Sequence, residues 1–352
     1  MKDILVTADA LRSFANAALL KAGAREDVAG YVSEGLVQTS LRGVDSHGIR
    51  LLPHYIEAVK GGRINPNPDY RFKKTSASTG TLDADHTFGH AAGMEAAKKA
   101  VELAEDAGTG HVAVYNSTHF GAAAYYALEI AKHDMIGISF THADSLMRTY
   151  GGKRAFLGTN PISFAAPMEA EEPFCLDMAT TLFNFNKIKQ LRERKLNAPA
   201  GVGADSEGIE TTDPNEIAML LPIGGYKGYG LSLMIEILCG TLTGMPYGPH
   251  ISKMFAAPMS QKRFLGHFII AIRIDCFQDK KVFKRRIAEM IKELRSEPPL
   301  NKEAPVMVAG DPEKRNYRER TVKGIPLAKN TFESLLKTGR ELGVELSTEN
   351  RR

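Results

Sequence analysis

The sequence is poor in cysteine. Cys175, Cys239 and Cys276 are the only three in 352 residues. An odd count, wide spacing and apolar neighbours exclude a disulfide framework and the usual zinc motifs, and fit small buried hydrophobes in a reducing compartment. There is no long uninterrupted apolar run either. The longest, Leu231 to Met245, is broken by Glu236 and stopped by Pro246, which suits a core helix and not a membrane span. The first residues lack the basic flank and apolar centre of a signal peptide, so a cytoplasmic location is expected. Charge of one sign is not in excess: 45 basic against 41 acidic residues leave +4, too balanced for a nucleic-acid footprint. The basic clusters Lys280-Lys281 and Lys284-Arg285-Arg286 fall on or beside a helical pattern and read as a solvated face. Two phosphate signatures are also missing. No G-x-G-x-x-G follows a strand, and no G-x-x-x-x-G-K-[ST] occurs. Gly201-Val202-Gly203 and Gly228-Tyr229-Gly230 lack the third glycine, while Gly108-Thr109-Gly110 precedes a strand. Any nucleotide must be held by a scaffold other than an ordinary Rossmann unit.

What is present is an ordinary globular composition, 43% hydrophobic and 24% charged, long enough for two packed domains. The first 60 residues are helical by period. Leu11, Phe14, Ala15, Ala18 and Leu19 form one stripe after a cap at Thr7, and Gly23 ends it. Val28, Val32 and Leu36 make a second, and Leu52, Ile56 and Val59 a third closed by Gly61-Gly62. Asn65-Pro66-Asn67-Pro68 is a strong break. Beyond it the pattern is mixed. A helix is predicted over 90–106, strands over 112–115, 136–141, 162–165, 174–178 and 268–274, and helices over 231–242, 282–294 and 331–342. A turn-rich loop is predicted over 201–213 and a wandering, proline-rich tail over 296–312. No internal repeat or low-complexity segment stands out.

Several segments can carry chemistry. Asn116-Ser117-Thr118-His119-Phe120-Gly121 follows an apolar strand pattern and precedes a helical one, so His119 sits at a strand end with a pKa near working pH. A helix-start histidine that merely bonds the backbone would look the same. His47 and Arg50 are three apart and would share a face if their segment is helical, with Ser46 as a hydroxyl donor or a helix cap. A guanidinium can clamp a carboxylate while the imidazole reaches the adjacent oxygen, although a solvated pair fits equally. Asp177 lies between Leu176 and Met178 and needs a partner if buried, either a histidine that it orients or a helix N-terminus that it caps. Gly158-Thr159-Asn160-Pro161 is a polar turn, and Gly224 to Gly230 opens a helix with bare amides and Lys227, a combination that suits phosphate. Asp83, Asp85, His86 and His90 have spacings a metal could use, but no further well-spaced ligand stands out and no metal is expected.

Five segments in order carry a resemblance. Arg42-Gly43-Val44-Asp45-Ser46-His47-Gly48, Ser117 to Gly121, Gly158 to Pro167, Leu176 to Thr181 and Lys227-Gly228-Tyr229-Gly230 together resemble the malate/L-lactate dehydrogenase family that lacks a Rossmann fold. That family also contains ureidoglycolate, sulfolactate and diketogulonate oxidoreductases. The resemblance runs over nearly the whole chain. It implies an α+β protein in which a helical domain packs on a mostly antiparallel NAD(P)-binding sheet, with residues 1–74 plus roughly 312–352 forming the helical substrate and dimer domain and residues 75–311 the cofactor domain. It implies a homodimer that uses NAD or NADP without metal to interconvert a small 2-hydroxy acid and its 2-oxo acid. Matched motif by motif, it makes His119 the proton donor or acceptor, with His47 in reserve and Asp177 a possible orienting partner. Ser46, His47 and Arg50 would contact the substrate. His142, Gly158, Thr159, Asn160, Pro161, Leu176, Asp177, Met178, Tyr226, Lys227, Ala309, Gly310 and Asp311 would contact the cofactor.

Three positions depart from the family. Many relatives carry the arginine four residues after the histidine, whereas Arg50 is three after His47. The segment Leu182-Phe183-Asn184-Phe185-Asn186-Lys187 is bulkier than usual, and Ala309 replaces a proline. Two readings from other classes remain: a Schiff-base enzyme at Lys227, beside Tyr226 and Tyr229, and a nucleotide-binding module without turnover.

Overall fold

The computed structural model describes residues 3–347. Strand β1 (Ile4–Val6) leads into α1 (Ala8–Lys21), whose first turn is capped by the Thr7 hydroxyl accepting from the Ala10 amide at 3.3 Å. Its buried side is the expected stripe of Leu11, Phe14, Ala15, Ala18 and Leu19. Helix α2 (Glu26–Leu41) follows, then a short 3-10 turn (Ile49–Leu51) and α3 (Leu52–Lys60). The core between these helices is completed from the far end of the chain: Ile325, Leu327, Leu335 and Leu346 pack into it. Apolar side chains far apart in sequence gain by leaving water together, and β1 pairs with Ile325–Leu327 to hold them there.

Next come β2 (Arg71–Lys74), β3 (Thr79–Asp83), α4 (Gly89–Ala107), β4 (Thr109–Ser117), α5 (Ala124–Ala131) and β5 (Met135–Thr141). They are followed by β6 (Met147–Arg148), β7 (Ala155–Leu157), β8 (Ile162–Ala166), β9 (Phe174–Met178) and α6 (Phe185–Arg194). Then come β10 (Gly203–Ala204), β11 (Met219–Leu220), α7 (Tyr226–Glu236), β12 (Leu265–Arg273), α8 (Lys280–Ser296), α9 (Asp311–Lys323), β13 (Ile325–Leu327) and α10 (Lys329–Leu342).

The main sheet has seven strands in the order β2-β3-β4-β12-β5-β8-β9. The β3–β4 step is parallel, because α4 carries the chain back over one face, and the other steps are antiparallel. A second sheet, β10-β11-β6-β7, again contains one parallel step, β11 to β6. The α+β expectation holds in its coarse form, with sheets that are mixed rather than mostly antiparallel. Among the described residues no helix is long and apolar enough to cross a membrane.

Several segments differ from the sequence reading, among them helix α6, which the sequence did not show. The helix expected over 231–242 starts earlier, at Tyr226, and passes at Glu236 into a π-helical turn (Ile237–Thr241). The predicted loop over 201–213 contains β10, too short to show a period. Helix α9 was not anticipated: it buries only Lys314, so it has no apolar stripe to read.

Candidate active site

The loop after β4, the start of α5, strand β9 and the segment before α9 surround a cavity of about 1240 Å³. Its wall includes Ser46, His47, Gly121, Thr159, Pro161, Leu176, Asp177, Met178, Ala309 and Gly310. Clefts for small ligands usually measure roughly 300–1,000 Å³, so there is room for more than a small acid.

His119 stands where the sequence placed it, between strand β4 and helix α5. The loop is fixed from below by buried Thr118, whose hydroxyl donates to the Thr87 carbonyl at 2.8 Å and accepts from the Gly89 amide at 3.1 Å. Gly121 lets the chain turn away, at φ +74°, and any Cβ there would lie 2.4 Å from Nε2 of His90. Only glycine satisfies both demands. The His119 ring stacks on His47 with centroids 5.6 Å apart and planes 21° from parallel. His47 lines the cavity; His119 is not part of the wall and adjoins it through this stack.

Each ring is held by a hydroxyl. Ser46 Oγ lies 2.8 Å from His47 Nδ1, and the Tyr55 hydroxyl lies 2.7 Å from His119 Nδ1. Burial raises the Tyr55 phenol far above its ordinary value, so it stays protonated and uncharged. A tautomer with Nδ1–H directed at the phenol oxygen leaves His119 Nε2 free to take or give a proton. Desolvation, followed by the nearby His47, Arg263, His90 and His54, pushes His119 well below the usual histidine value. Desolvation and then Arg50 bring His47 to about 4. Both rings are therefore neutral at pH 7 in the free protein. A bound anion would offset the positive surroundings and favour the imidazolium.

Arg50 is arranged otherwise than expected. Gly48 is extended (φ −89°, ψ −151°) and the 3-10 turn starts only at Ile49, so His47 and Arg50 share no helical face. His47 lines the cavity, while Arg50 is exposed and absent from its wall. Ser46 does not cap the turn; the Ile49 amide is taken by Ser40 Oγ at 2.9 Å, and Ser46 turns to His47 instead.

Asp177 lines the cavity floor and accepts from the Ala124 amide at 3.1 Å, at the start of α5. It serves a helix terminus, and no histidine is within hydrogen-bond reach of it, because its edge strand β9 faces α5. The orienting group of His119 is Tyr55. Desolvation raises the Asp177 carboxyl to about 6, against the lowering effect of that amide.

The expected cofactor contacts divide into two groups. Thr159, Pro161, Leu176, Asp177, Met178, Ala309 and Gly310 line the cavity. Gly310 adopts φ +92° with its Cα so near β9 that a Cβ would lie 2.9 Å from the Cys175 carbonyl, which keeps the Ala309-Gly310 segment against the wall. Asp311 lies beside it but is committed to Arg295, at 2.5 and 3.0 Å. His142, Gly158 and Asn160 are instead buried in the protein; side-chain contacts hold His142 and Asn160 there. Tyr226 and Lys227 are exposed at the start of α7 and outside the cavity wall.

Sequence reasoning missed Tyr55, which looks like one more member of the α3 apolar stripe. It also missed Arg263, which is 2% exposed, paired with Asp144, and retains Nε and Nη1 without hydrogen-bond partners. Glu236 it saw only as an interruption. The bulky segment after Thr181 proves to be divided: Phe183 and Phe185 pack in a small core with Ile188, whereas Asn184, Asn186 and Lys187 face the cavity. Among the described residues no three His, Cys, Asp or Glu side chains are grouped to hold a metal.

A sequence profile described as malate/L-lactate dehydrogenase matches residues 6–336. The malate dehydrogenase of Pyrococcus abyssi is 36% identical over 97% of this chain and 96% of its own. The NAD(+)-dependent ureidoglycolate dehydrogenase of Escherichia coli K12 is 32% identical over 90% and 91%. The solved structure of sulfolactate dehydrogenase from Methanocaldococcus jannaschii superposes with a TM-score of 0.92 at 34% identity, covering 97% of this chain and 98% of that one.

Proposed function

This chain belongs to the malate/L-lactate dehydrogenase family of hydroxy-acid dehydrogenases, and from that premise we propose that it interconverts a small 2-hydroxy acid and its 2-oxo acid with NAD or NADP. The observation that carries this reading is His47 in the cavity wall stacked on His119, whose Nδ1 is anchored to Tyr55 at 2.7 Å.

His119 is the acid/base. In oxidation its free Nε2 takes the hydroxyl proton, and in reduction the imidazolium returns it to the carbonyl oxygen. Ser46 and His47 present a hydroxyl and an imidazole to the substrate, and Arg50 and Arg263 supply positive potential for its carboxylate. The nicotinamide, when bound, supplies or accepts the hydride. Thr159, Pro161, Leu176, Met178, Ala309 and Gly310 would hold it, with Lys187 and the amides of Asn184 and Asn186 offering a cation and donors for its charged portion. The size of the cavity and this donor set fit a dinucleotide together with a small acid. Tyr226 and Lys227 would join the site only from a movement of the α7 end or across an interface.

Two further assignments rest on the same premise. The division into residues 1–74 with roughly 312–352, and residues 75–311, is supported by the core that both chain ends build; residues 1–2 and 348–352 lie outside the described residues. A homodimer is supported by the exposed apolar strip Leu233, Met234, Ile237 and Leu242 along α7 and its π-helical continuation.

Ureidoglycolate and sulfolactate are alternative substrates in the same pocket, since each presents an anionic group beside the reacting carbon. A Schiff base at Lys227 has less support, because that lysine is exposed and away from the cavity wall. The test is a screen of 2-oxo acids with NADH and NADPH followed by absorbance. Turnover lost on His119→Asn supports the reading, and no absorbance change with any acid overturns it.

A further inference from the structure

Glu236 is the one charge in the apolar run 231–245, and the structure buries it to 4% exposure where α7 gives way to the π-helical turn. Both of its oxygens accept N–H donors. Oε2 takes the Asn160 side-chain amide at 2.7 Å, and Oε1 takes the Gly248 backbone amide at 2.7 Å. His142 Nδ1 stands 3.6 Å from Oε1, while its Nε2 accepts from the Gly266 amide at 2.9 Å. With the Nε2 lone pair committed, the ring proton is on Nδ1 and points toward the carboxylate. Asn160 is used to capacity: its Oδ1 accepts from the Ala143 amide at 3.1 Å, and its Nδ2 also donates to the Ser232 carbonyl at 3.1 Å. It is fully buried, at φ +25°.

This cluster ties five separate segments together: the end of β5, the 158–161 turn, helix α7, the turn at Gly248 and the start of β12. Asn160 faces inward, and its neighbours Thr159 and Pro161 face the cavity. Helix α7 carries Tyr226 and Lys227 at its other end, ten and nine residues before Glu236 and roughly 14 Å from it along the axis. A π-helical turn at the junction is a local distortion of the kind often found beside functional sites.

We propose that Glu236 is a positioning residue that fixes the Thr159–Pro161 wall of the cavity to helix α7, and that the buried Glu236–Asn160–His142 cluster thereby sets nicotinamide-nucleotide affinity without touching the ligand. The second half rests on the dehydrogenase reading; the first does not. The cluster also reassigns His142 and Asn160 from direct contact to support.

The chemistry of the pair gives a sharp test. Both Glu236 oxygens accept, so Glu236→Gln must aim an NH2 at a donor in either flip, at Asn160 or at Gly248. Glu236→Gln combined with Asn160→Asp restores one donor facing one acceptor, at the expense of the Ser232 contact. Hydrogen exchange on the ligand-free protein reads positioning directly. In Glu236→Gln the amides of Gly158, Thr159, Asn160 and Gly248 should exchange faster while those of α4 stay protected, and the double variant should recover part of the protection. Fluorescence titration with NADH and NADPH should then show roughly tenfold weaker binding in Glu236→Gln, partly restored in the double variant. In turnover the KM of the nucleotide should rise while kcat changes little.

Unchanged exchange at 158–160 and at Gly248 overturns the positioning claim. Faster exchange with unaltered nucleotide affinity overturns its link to the ligand. If the unsubstituted protein binds neither nucleotide, the dehydrogenase reading falls and the ligand link with it, while exchange still decides the positioning claim. Should Glu236→Gln fail to fold, the double variant alone decides, since wild-type-like exchange and affinity in it support the pairing and their joint loss refutes it.

Discussion

The Tyr55 hydroxyl and Nδ1 of His119, 64 residues apart in the chain, lie 2.7 Å from one another. The phenol does for this imidazole part of what a carboxylate does in many acid/base pairs, fixing ring orientation, but it adds no negative charge and admits either tautomer. Tyr55→Phe keeps the ring packing and removes the hydroxyl. kcat should fall about tenfold, the cost of leaving a buried ring nitrogen unpaired. The melting temperature should move little. Steady-state kinetics beside a thermal melt checks this, and an unchanged kcat would remove Tyr55 from the site.

The two directions of the reaction should respond differently to pH. His119 is held well below its ordinary value in the free protein, first by desolvation. The base form is therefore present throughout the neutral range, and kcat/KM for oxidation should be level there. Reduction needs the imidazolium, so its kcat/KM should go on rising as pH falls below about 6.5, the unperturbed histidine value. A reductive profile that levels off above pH 7 would be inconsistent with this environment.

Stability should fall on the acid side. Burial lowers His90 to about 3 and His47 to about 4. In the unfolded chain both bind a proton near pH 6.5. Between those limits the unfolded state carries more protons, so stability is full above about 6.5 and is lost as pH drops toward the folded values. His90 has no partner on either ring nitrogen. His90→Leu should flatten the acid limb of a melting-temperature profile, and a limb as steep as before would show that His90 does not contribute.

Gly121→Ala should destabilise. The substitution forces a side chain to φ +74° and sets its Cβ 2.4 Å from His90 Nε2. The left-handed strain alone costs about 1–3 kcal/mol. Denaturant unfolding should show at least that loss, with reduced activity because His119 lies two residues away.

Arg295, at the end of α8, pairs with Asp311 at the start of α9 at 2.5 Å and with Glu171, in the loop before β9, at 3.0 Å. The Ala309-Gly310 wall directly precedes this tie. Arg295→Met should raise the nucleotide KM about threefold with kcat retained, as expected for a partly exposed ion-pair network. High salt should narrow the difference between the two proteins.

Much of this architecture is legible in the linear pattern. The Thr7 cap and the α1 stripe, the five short strands and the placing of His119 between a strand and a helix all follow from local rules. Helix α9 and the two-residue strands were illegible, because they bury almost nothing and have no period. For the site, the sequence listed most of the groups in the cavity wall but misjudged their companions. The expected helical face of His47 and Arg50 is broken by the extended backbone at Gly48. The expected partnership of Asp177 with a histidine gives way to the Ala124 amide.

The amino-acid order by itself determines the longer periodic helices and the apolar strands, which glycines turn the chain, and that no Rossmann phosphate loop exists, because each depends on neighbours within a few residues. Tertiary structure alone decides that Tyr55 meets His119, that Arg50 faces outward, and that Glu236 gathers Asn160 and His142. Those meetings depend on sheet order and on how helices pack across the sheet.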